Sequence, residues 1–355
     1  MSFVKIDRVH FHTFDSLRFL SFLLVFLHHS PVPQGNFLHL FSRAGGIGVS
    51  FFFVLSGFLI TYILILEKLN NDRILLKKFF KRRILRIWPL YYAMVLFAFC
   101  TPFIIRFLHL SSSEEGYEPH WFFTITFLEN YVMMYTKSFP NVSPLRVMWS
   151  LCIEEHFYII WGLIFYLISL KNVPKLILFS IITSFMFKVV YSMYDVATLD
   201  IPTNIDMFAF GAIPAYIFVF HKEFIGKIEE IPAVYKYSFA LFILVIIVLT
   251  SSHLLFSDAI VNSAIFGILF SVLILFTLGQ RNVFQISDRS ILAWLGKYTY
   301  GLYLFHTICI NLFDKIGKIY DLNWYIITIL SLGATVILSF CSYHLFEKQF
   351  LKLKS

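Results

Sequence analysis

Ionisable side chains are scarce in this chain, so those that interrupt its apolar runs are the first candidates for chemistry. In Ser16-Leu17-Arg18-Phe19-Leu20, continuing to Leu27-His28-His29, an arginine stands near the start of an apolar helix and two histidines near its end. Eleven residues separate Arg18 from His29. At about 100° per residue that is about three turns plus 20°, so the two share one helix face and His28 falls off it. Ionisable groups inside an apolar span are costly and face a cavity or a partner helix. An imidazole takes a proton from a hydroxyl near neutral pH, which makes His29 a candidate general base. The competing reading has Arg18 snorkelling to lipid headgroups and His29 in the opposite interface.

Further candidates lie along the chain. Arg83 and Arg86 are three apart in a basic stretch, so on a helix they project together. Two guanidiniums side by side suit a phosphate through forked hydrogen bonds, although anchoring on anionic lipid explains part of the charge. Gly45, Gly46 and Gly48 open an apolar segment. They read either as a place where backbone approaches a ligand or as helix packing. Glu154 and Glu155 lie a few residues into another apolar segment, and His306 lies within a later one.

These residues must be positioned by membrane helices. The 355 residues are 59% hydrophobic and 14% charged, against about 25% charged in a soluble domain. A span needs about 20 apolar residues. Ten segments qualify: 14–33, 47–66, 88–107, 149–169, 175–192, 205–220, 235–251, 259–278, 291–311 and 324–346. The segment 121–135 is short, carries Glu129 and Asn130, and reads as interfacial or re-entrant. With the N-terminus in the cytoplasm, inside segments hold Lys5, Arg8, the run from Lys68 to Arg86, Lys171, Lys175, Lys222, Lys227, Arg281, Arg289 and the tail lysines 348, 352 and 354. Outside segments hold fewer basic residues, and the 108–148 loop adds Glu114, Glu115 and Glu118. This asymmetry predicts an all-α polytopic protein of about ten transmembrane helices with both termini cytoplasmic.

The net charge of +8 then reports loop placement and not nucleic-acid binding. Cys100, Cys152, Cys309 and Cys341 lie in apolar segments without CxxC spacing and suggest neither a disulfide framework nor a zinc site. No metal-ligand spacing stands out. Residues 1–355 read as one membrane domain without a fused soluble domain.

Depth along the spans gives a further argument. Glu154 lies about five residues in from the outer end, roughly 7–8 Å deep at 1.5 Å per residue. His29 lies about 15 residues up from the inner end, roughly 22 Å, and His306 is at a similar level. In a core about 30 Å thick these heights coincide, so the three could share one cavity.

The ordered motifs resemble the acyltransferase 3 family of integral membrane O-acyltransferases. They are Leu17-Arg18 with His29; Gly45-Gly46-Ile47-Gly48-Val49 with Phe52-Phe53-Val54-Leu55-Ser56-Gly57; and Arg83-Ile84-Leu85-Arg86-Ile87 with Pro89. The series continues with Trp149 to Tyr158, Tyr300-Gly301-Leu302-Tyr303-Leu304-Phe305-His306 and Phe346-Glu347-Lys348. Three positions depart from the family pattern: Asn204 where arginine is expected beside Asp206, Gln349 where proline is common, and His156 for glutamine.

The resemblance implies transfer of an acyl group, acetyl foremost, from cytosolic acetyl-CoA to a hydroxyl of a cell-surface or lipid-linked glycan, in a bacterial inner membrane. His29 would deprotonate the acceptor and Glu154 would orient or compensate the imidazole. Arg83 and Arg86 would hold donor phosphates, with Arg18 helping the donor or ordering the cavity. Gly45, Gly46, Gly48 and His306 would line the acceptor side. The expected partners are acyl-CoA, a carbohydrate acceptor and the bilayer, with no metal; oligomeric state is left open. A proton-coupled transporter also explains intramembrane Arg, His and Glu, but predicts internal repeats that are not evident.

Overall fold

The computed structural model describes residues 7–107, 115–255, 258–279 and 282–354. Lys5, Glu114 and Arg281, which entered the charge comparison, lie outside the described residues. Those residues form no β-strand, only helices and one isolated bridge between Tyr117 and Pro140. Ten helices are long: α1 (Thr13–His29), α2 (Gly45–Asn71), α3 (Leu76–Phe107), α4 (Trp149–Leu167), α5 (Val173–Met193), α6 (Ile201–Phe220), α7 (Ala233–Ser251), α8 (Ala259–Thr277), α9 (Thr299–Tyr320) and α10 (Trp324–Ser342). Among the described residues, eight helices are long and apolar enough to cross a membrane. α1 has 17 residues, and α9 is interrupted toward its end by Asp314, Lys315 and Lys318. The protein is a polytopic all-α membrane protein.

Several boundaries differ from the hydropathy reading for local reasons. α1 stops at His29 because Pro31 and Pro33 follow, and residues before proline are driven out of the α region. The basic stretch and the third span form one continuous helix, α3, which keeps Pro89 and Pro102 inside it. The ninth segment breaks near Lys297: a short helix, Ile291–Gly296, precedes α9. The 121–135 segment is two short helices, Trp121–Ile125 and Glu129–Thr136, and not a spanning one. Its Glu129 is fully buried and accepts hydrogen bonds from Tyr117 and Thr124.

α2 is the central helix. Of its most apolar stretch 72% is buried, against 17% for α7, which leaves α7 at the periphery. Close approach to α2 requires residues without side chains. A Cβ added at Gly57 would lie 2.1 Å from the Phe208 carbonyl oxygen of α6, and one added at Gly211 of α6 would lie 1.9 Å from the Val54 oxygen of α2. A Cβ at Gly48 would lie 2.6 Å from the Ser21 oxygen of α1, and one at Gly45 would lie 2.5 Å from His28. Beside the α2–α6 crossing, Phe208 stacks between Phe157 and Phe53, with centroids 3.9 and 4.8 Å apart. Lys68, near the end of α2, donates to the Phe165 oxygen at 2.8 Å, so the ends of α2 and α4 meet.

Gly57→Ala is therefore expected to destabilise the detergent-solubilised protein by about 1–3 kcal/mol, since overpacking meets backbone and not a flexible side chain. Gly333→Ala in α10, where nothing lies within 4 Å of the added carbon, should leave the protein as stable or more so by about 0.5–1 kcal/mol. Thermal unfolding of both variants checks the pair.

Candidate functional site

A cavity of about 500 Å³ opens where the chain's N-terminal segment, α3 and the C-terminal helix come together. Arg18 of α1 and Arg83 and Arg86 of α3 all line it. The three-residue spacing within one helix brings the α3 pair to one face, as helix geometry requires. Arg18 is tied to Asp15 one turn earlier. The Arg83 guanidinium lies over the Tyr158 ring, 5.9 Å from its centroid, and its Nε is buried without a partner. An orphaned buried N–H is a donor waiting for an acceptor. Arg8 and Lys297 complete the basic lining, and Asp15, Glu154 and Glu347 oppose it. Five basic against three acidic side chains, walled by apolar helices, favour an anionic ligand.

Glu154 belongs to this cavity. Its Oε1 accepts from the Ser56 hydroxyl at 2.7 Å and its Oε2 from the Tyr158 hydroxyl at 3.1 Å. It is not brought beside His29: Glu154 shares the cavity with Arg18, toward the opposite end of α1 from His29, so the equal heights expected from the spans are not found. Glu155 points elsewhere and accepts from the Trp88 indole at 3.2 Å. Tyr158, four residues after Glu154 and hence on its face, was legible as a neighbour but carried no role in the sequence reading. Arg8 and Lys297 gave no signal beyond their charge.

His29 sits at the other end of α1, about 16 Å from Arg18 along the helix. It is exposed there. Its ring lies 5.2 Å from that of His306 and 5.0 Å from that of His28. His306 is fully buried. Its Nδ1 lies 2.7 Å from the Tyr303 carbonyl oxygen, and a carbonyl only accepts, so Nδ1 carries the hydrogen and Nε2 keeps its lone pair. That Nε2 is buried and without a partner.

Tyr303 connects the two regions. It lines the cavity, and its ring is 5.7 Å from that of His306. Its hydroxyl donates to the Val147 oxygen at 3.0 Å and pairs with Ser150 at 2.7 Å. Tyr300, one turn earlier, donates to the Ile87 oxygen at 2.7 Å and pins α9 to α3. The basic cavity thus ends one aromatic ring away from the histidine pair.

The glycines divide. Gly45 and Gly48 are used for helix packing against α1. Gly46 has open space around it and lines a second cavity of about 480 Å³ with His28, Arg43, Ser50, Lys188 and Asn204. Asn204 donates to the backbone oxygens of Thr198 and Asp200 and holds the turn before α6. The cation for Asp206 comes instead from Lys188 of α5, at 2.5 Å, with Ser184 donating to its other oxygen at 2.9 Å. The departure at position 204 is thus accompanied by a lysine on the neighbouring helix.

The chain belongs to the acyltransferase family whose domain profile matches residues 11–344. Among curated relatives, it is 29% identical over 365 residues to the peptidoglycan O-acetyltransferase OatA of Listeria monocytogenes, covering 97% of this chain and 56% of that protein. It is 28% identical over 357 residues to a putative peptidoglycan O-acetyltransferase, YrhL, of Bacillus subtilis, covering 94% and 54%. A putative O-acetyltransferase of Staphylococcus aureus is 26% identical over 369 residues, covering 95% and 57%. The chain therefore spans little more than half the length of these relatives. No solved structure matches it.

Removing one partner of a buried ion pair leaves an uncompensated charge, at a cost of about 3–5 kcal/mol. Lys188→Met should accordingly unfold in detergent well below the wild type. Lys188→Met combined with Asp206→Leu should recover much of the loss, because the orphaned carboxylate is gone; thermal melts of the single and double variants compare the two.

Proposed function

We propose that the protein is an integral membrane O-acetyltransferase that moves an acetyl group from a cytosolic acyl-CoA to a sugar hydroxyl of peptidoglycan or of its lipid-linked precursor. The observation that carries this reading is the arrangement around Tyr303: a basic cavity reaches from one end of the bundle to within one ring of a histidine pair that faces the other end. The family membership and the names of the relatives support the acyl chemistry and the glycan acceptor. The basic end is the cytoplasmic one, since Lys and Arg gather there. With ten spans, both termini lie on that side of a bacterial inner membrane, and residues 1–355 act as one membrane-embedded unit.

In this reading Arg83 and Arg86 bind the donor phosphates at the cavity mouth, and Arg18 adds positive charge further in. The flexible arm of the acyl-CoA runs toward Tyr303 and delivers the thioester to His29. His29 removes the proton from the acceptor hydroxyl, the alkoxide attacks the thioester carbonyl, and the carbon–sulfur bond breaks. The thiolate leaves as CoA and takes up a proton. His306, with its lone pair on Nε2, stands where it can share the proton that His29 gains, the part first assigned to Glu154. Glu154 instead keeps Ser56 and Tyr158 in place along the donor path. The carboxylate also offsets part of the arginine charge, so that the product CoA is not held too tightly.

The experiment is mass spectrometry of peptidoglycan fragments from cells expressing wild type or His29→Ala, matched for membrane abundance. Wild type should add one acetyl unit per modified sugar, and the variant should lose this by a factor of about 10²–10⁴. Acetylation that persists undiminished in the variant would remove His29 from the chemistry. In a reconstituted assay of CoA release, Arg83→Met should raise the donor KM by roughly 10- to 100-fold, the weight of a charged hydrogen bond, with less effect on the rate at saturating donor.

A further inference from the structure

A separate cluster lies at the rim of the basic cavity. His10 and His12 flank Phe11, whose ring packs inward against Phe14, Phe58, Tyr62 and Phe218 with centroids 4.9–5.4 Å apart. With Phe11 used as a plug, the two imidazoles turn out together, 4.8 Å apart and nearly perpendicular. Both reach one oxygen of Asp288, which lies 276 residues further along the chain than His12: His10 Nε2 at 3.1 Å and His12 Nδ1 at 2.5 Å.

From this geometry we propose that His10, His12 and Asp288 form a binding site for a divalent transition metal, zinc foremost, at the mouth of the cavity. The three ligand atoms lie within 4.8 Å of one another. Zinc bonds of about 2.0–2.2 Å place tetrahedral ligands about 3.4 Å apart, so small rearrangements of these exposed side chains, opening the His12–Asp288 contact, admit the ion. Two imidazoles and a carboxylate match zinc, cobalt or nickel, whereas magnesium and calcium favour oxygen alone. A fourth position is left for water, because both histidine side chains are more than half exposed.

The backbone carrying the ligands is fixed on both sides. Val9 N–H donates to the Tyr62 hydroxyl at 2.9 Å, and Ile286 N–H donates to the Thr13 hydroxyl at 3.1 Å. Ser290 N–H closes the turn onto the Ser287 oxygen at 2.9 Å. A bound ion would clip the N-terminal segment to this turn. His10 itself, with Arg8, Gly296 and Lys297 nearby in sequence or across the clip, lines the cavity, so the ion would brace one wall of its mouth. The sequence shows only an isolated His-x-His, because the third ligand arrives through the fold.

The test uses the full chain in detergent, purified without a polyhistidine tag and stripped with a chelator. Titration calorimetry with zinc chloride in excess magnesium should give one ion per chain. His12→Ala and Asp288→Asn should each weaken binding at least about tenfold, with unchanged gel-filtration profiles. Cobalt added to wild type should give the visible absorption of a four-coordinate site, a readout independent of the variants' folding. No zinc binding by wild type, no such cobalt spectrum, or binding by both folded variants equal to wild type would overturn the site.

Discussion

Everything in this bundle depends on how closely other helices come to the backbone of α2. Where Gly57 and Gly211 meet, main chain touches main chain. Gly48 allows α1 the same approach. Membrane helices gain nothing from the hydrophobic effect against lipid, so such close packing, with its dispersion and polar contacts, is what holds them together. It also sets the site. With α1 pressed on α2, Arg18 and Ser56 line the same cavity, and His29 is delivered to the end where α9 presents His306. Displacing α1 by one side chain's width would separate His29 from His306.

The second constraint is charge in an apolar setting. The bundle meets it in three ways. Lys188 and Asp206 neutralise each other in a nearly closed pocket of hydroxyls. Glu129 is satisfied by Tyr117 and Thr124 hydroxyls. The arginines around the basic cavity are instead left with a surplus, including an orphan Nε on Arg83. A structural ion network would be balanced; a surplus of positive charge facing a cavity suits an anionic ligand.

Much of this was legible in the sequence. Hydropathy located the long helices, and the three-residue spacing of Arg83 and Arg86 placed them on one face because a single continuous helix carries both. Height along the spans brought His29 and His306 together. The same reasoning misplaced Glu154, because span edges read from hydropathy do not fix depth: packing sets it beside Ser56 in the cavity with Arg18, toward the opposite end of α1 from His29. The Lys188–Asp206 pair and the His10–His12–Asp288 cluster were out of reach for a different reason: each joins helices or loops distant in sequence, and only packing brings them together. Tyr303 was part of a recognisable motif, but its place between cavity and histidines is a fact of three dimensions.

In the function proposed above, a route for an acyl group across the bilayer would also threaten the ion gradients that the cell maintains across it. Tyr303 bears on this directly. Its hydroxyl is anchored to Val147 and Ser150, and Phe52 lies against its ring at 6.1 Å. This is a hydrogen-bonded aromatic ring between the basic cavity and the histidine pair. On the proposed route the slender, uncharged arm that carries the thioester would need less widening there than a column of water. One side chain would thereby limit both cargo size and proton leakage on that route, so that an energised membrane could host it without being short-circuited.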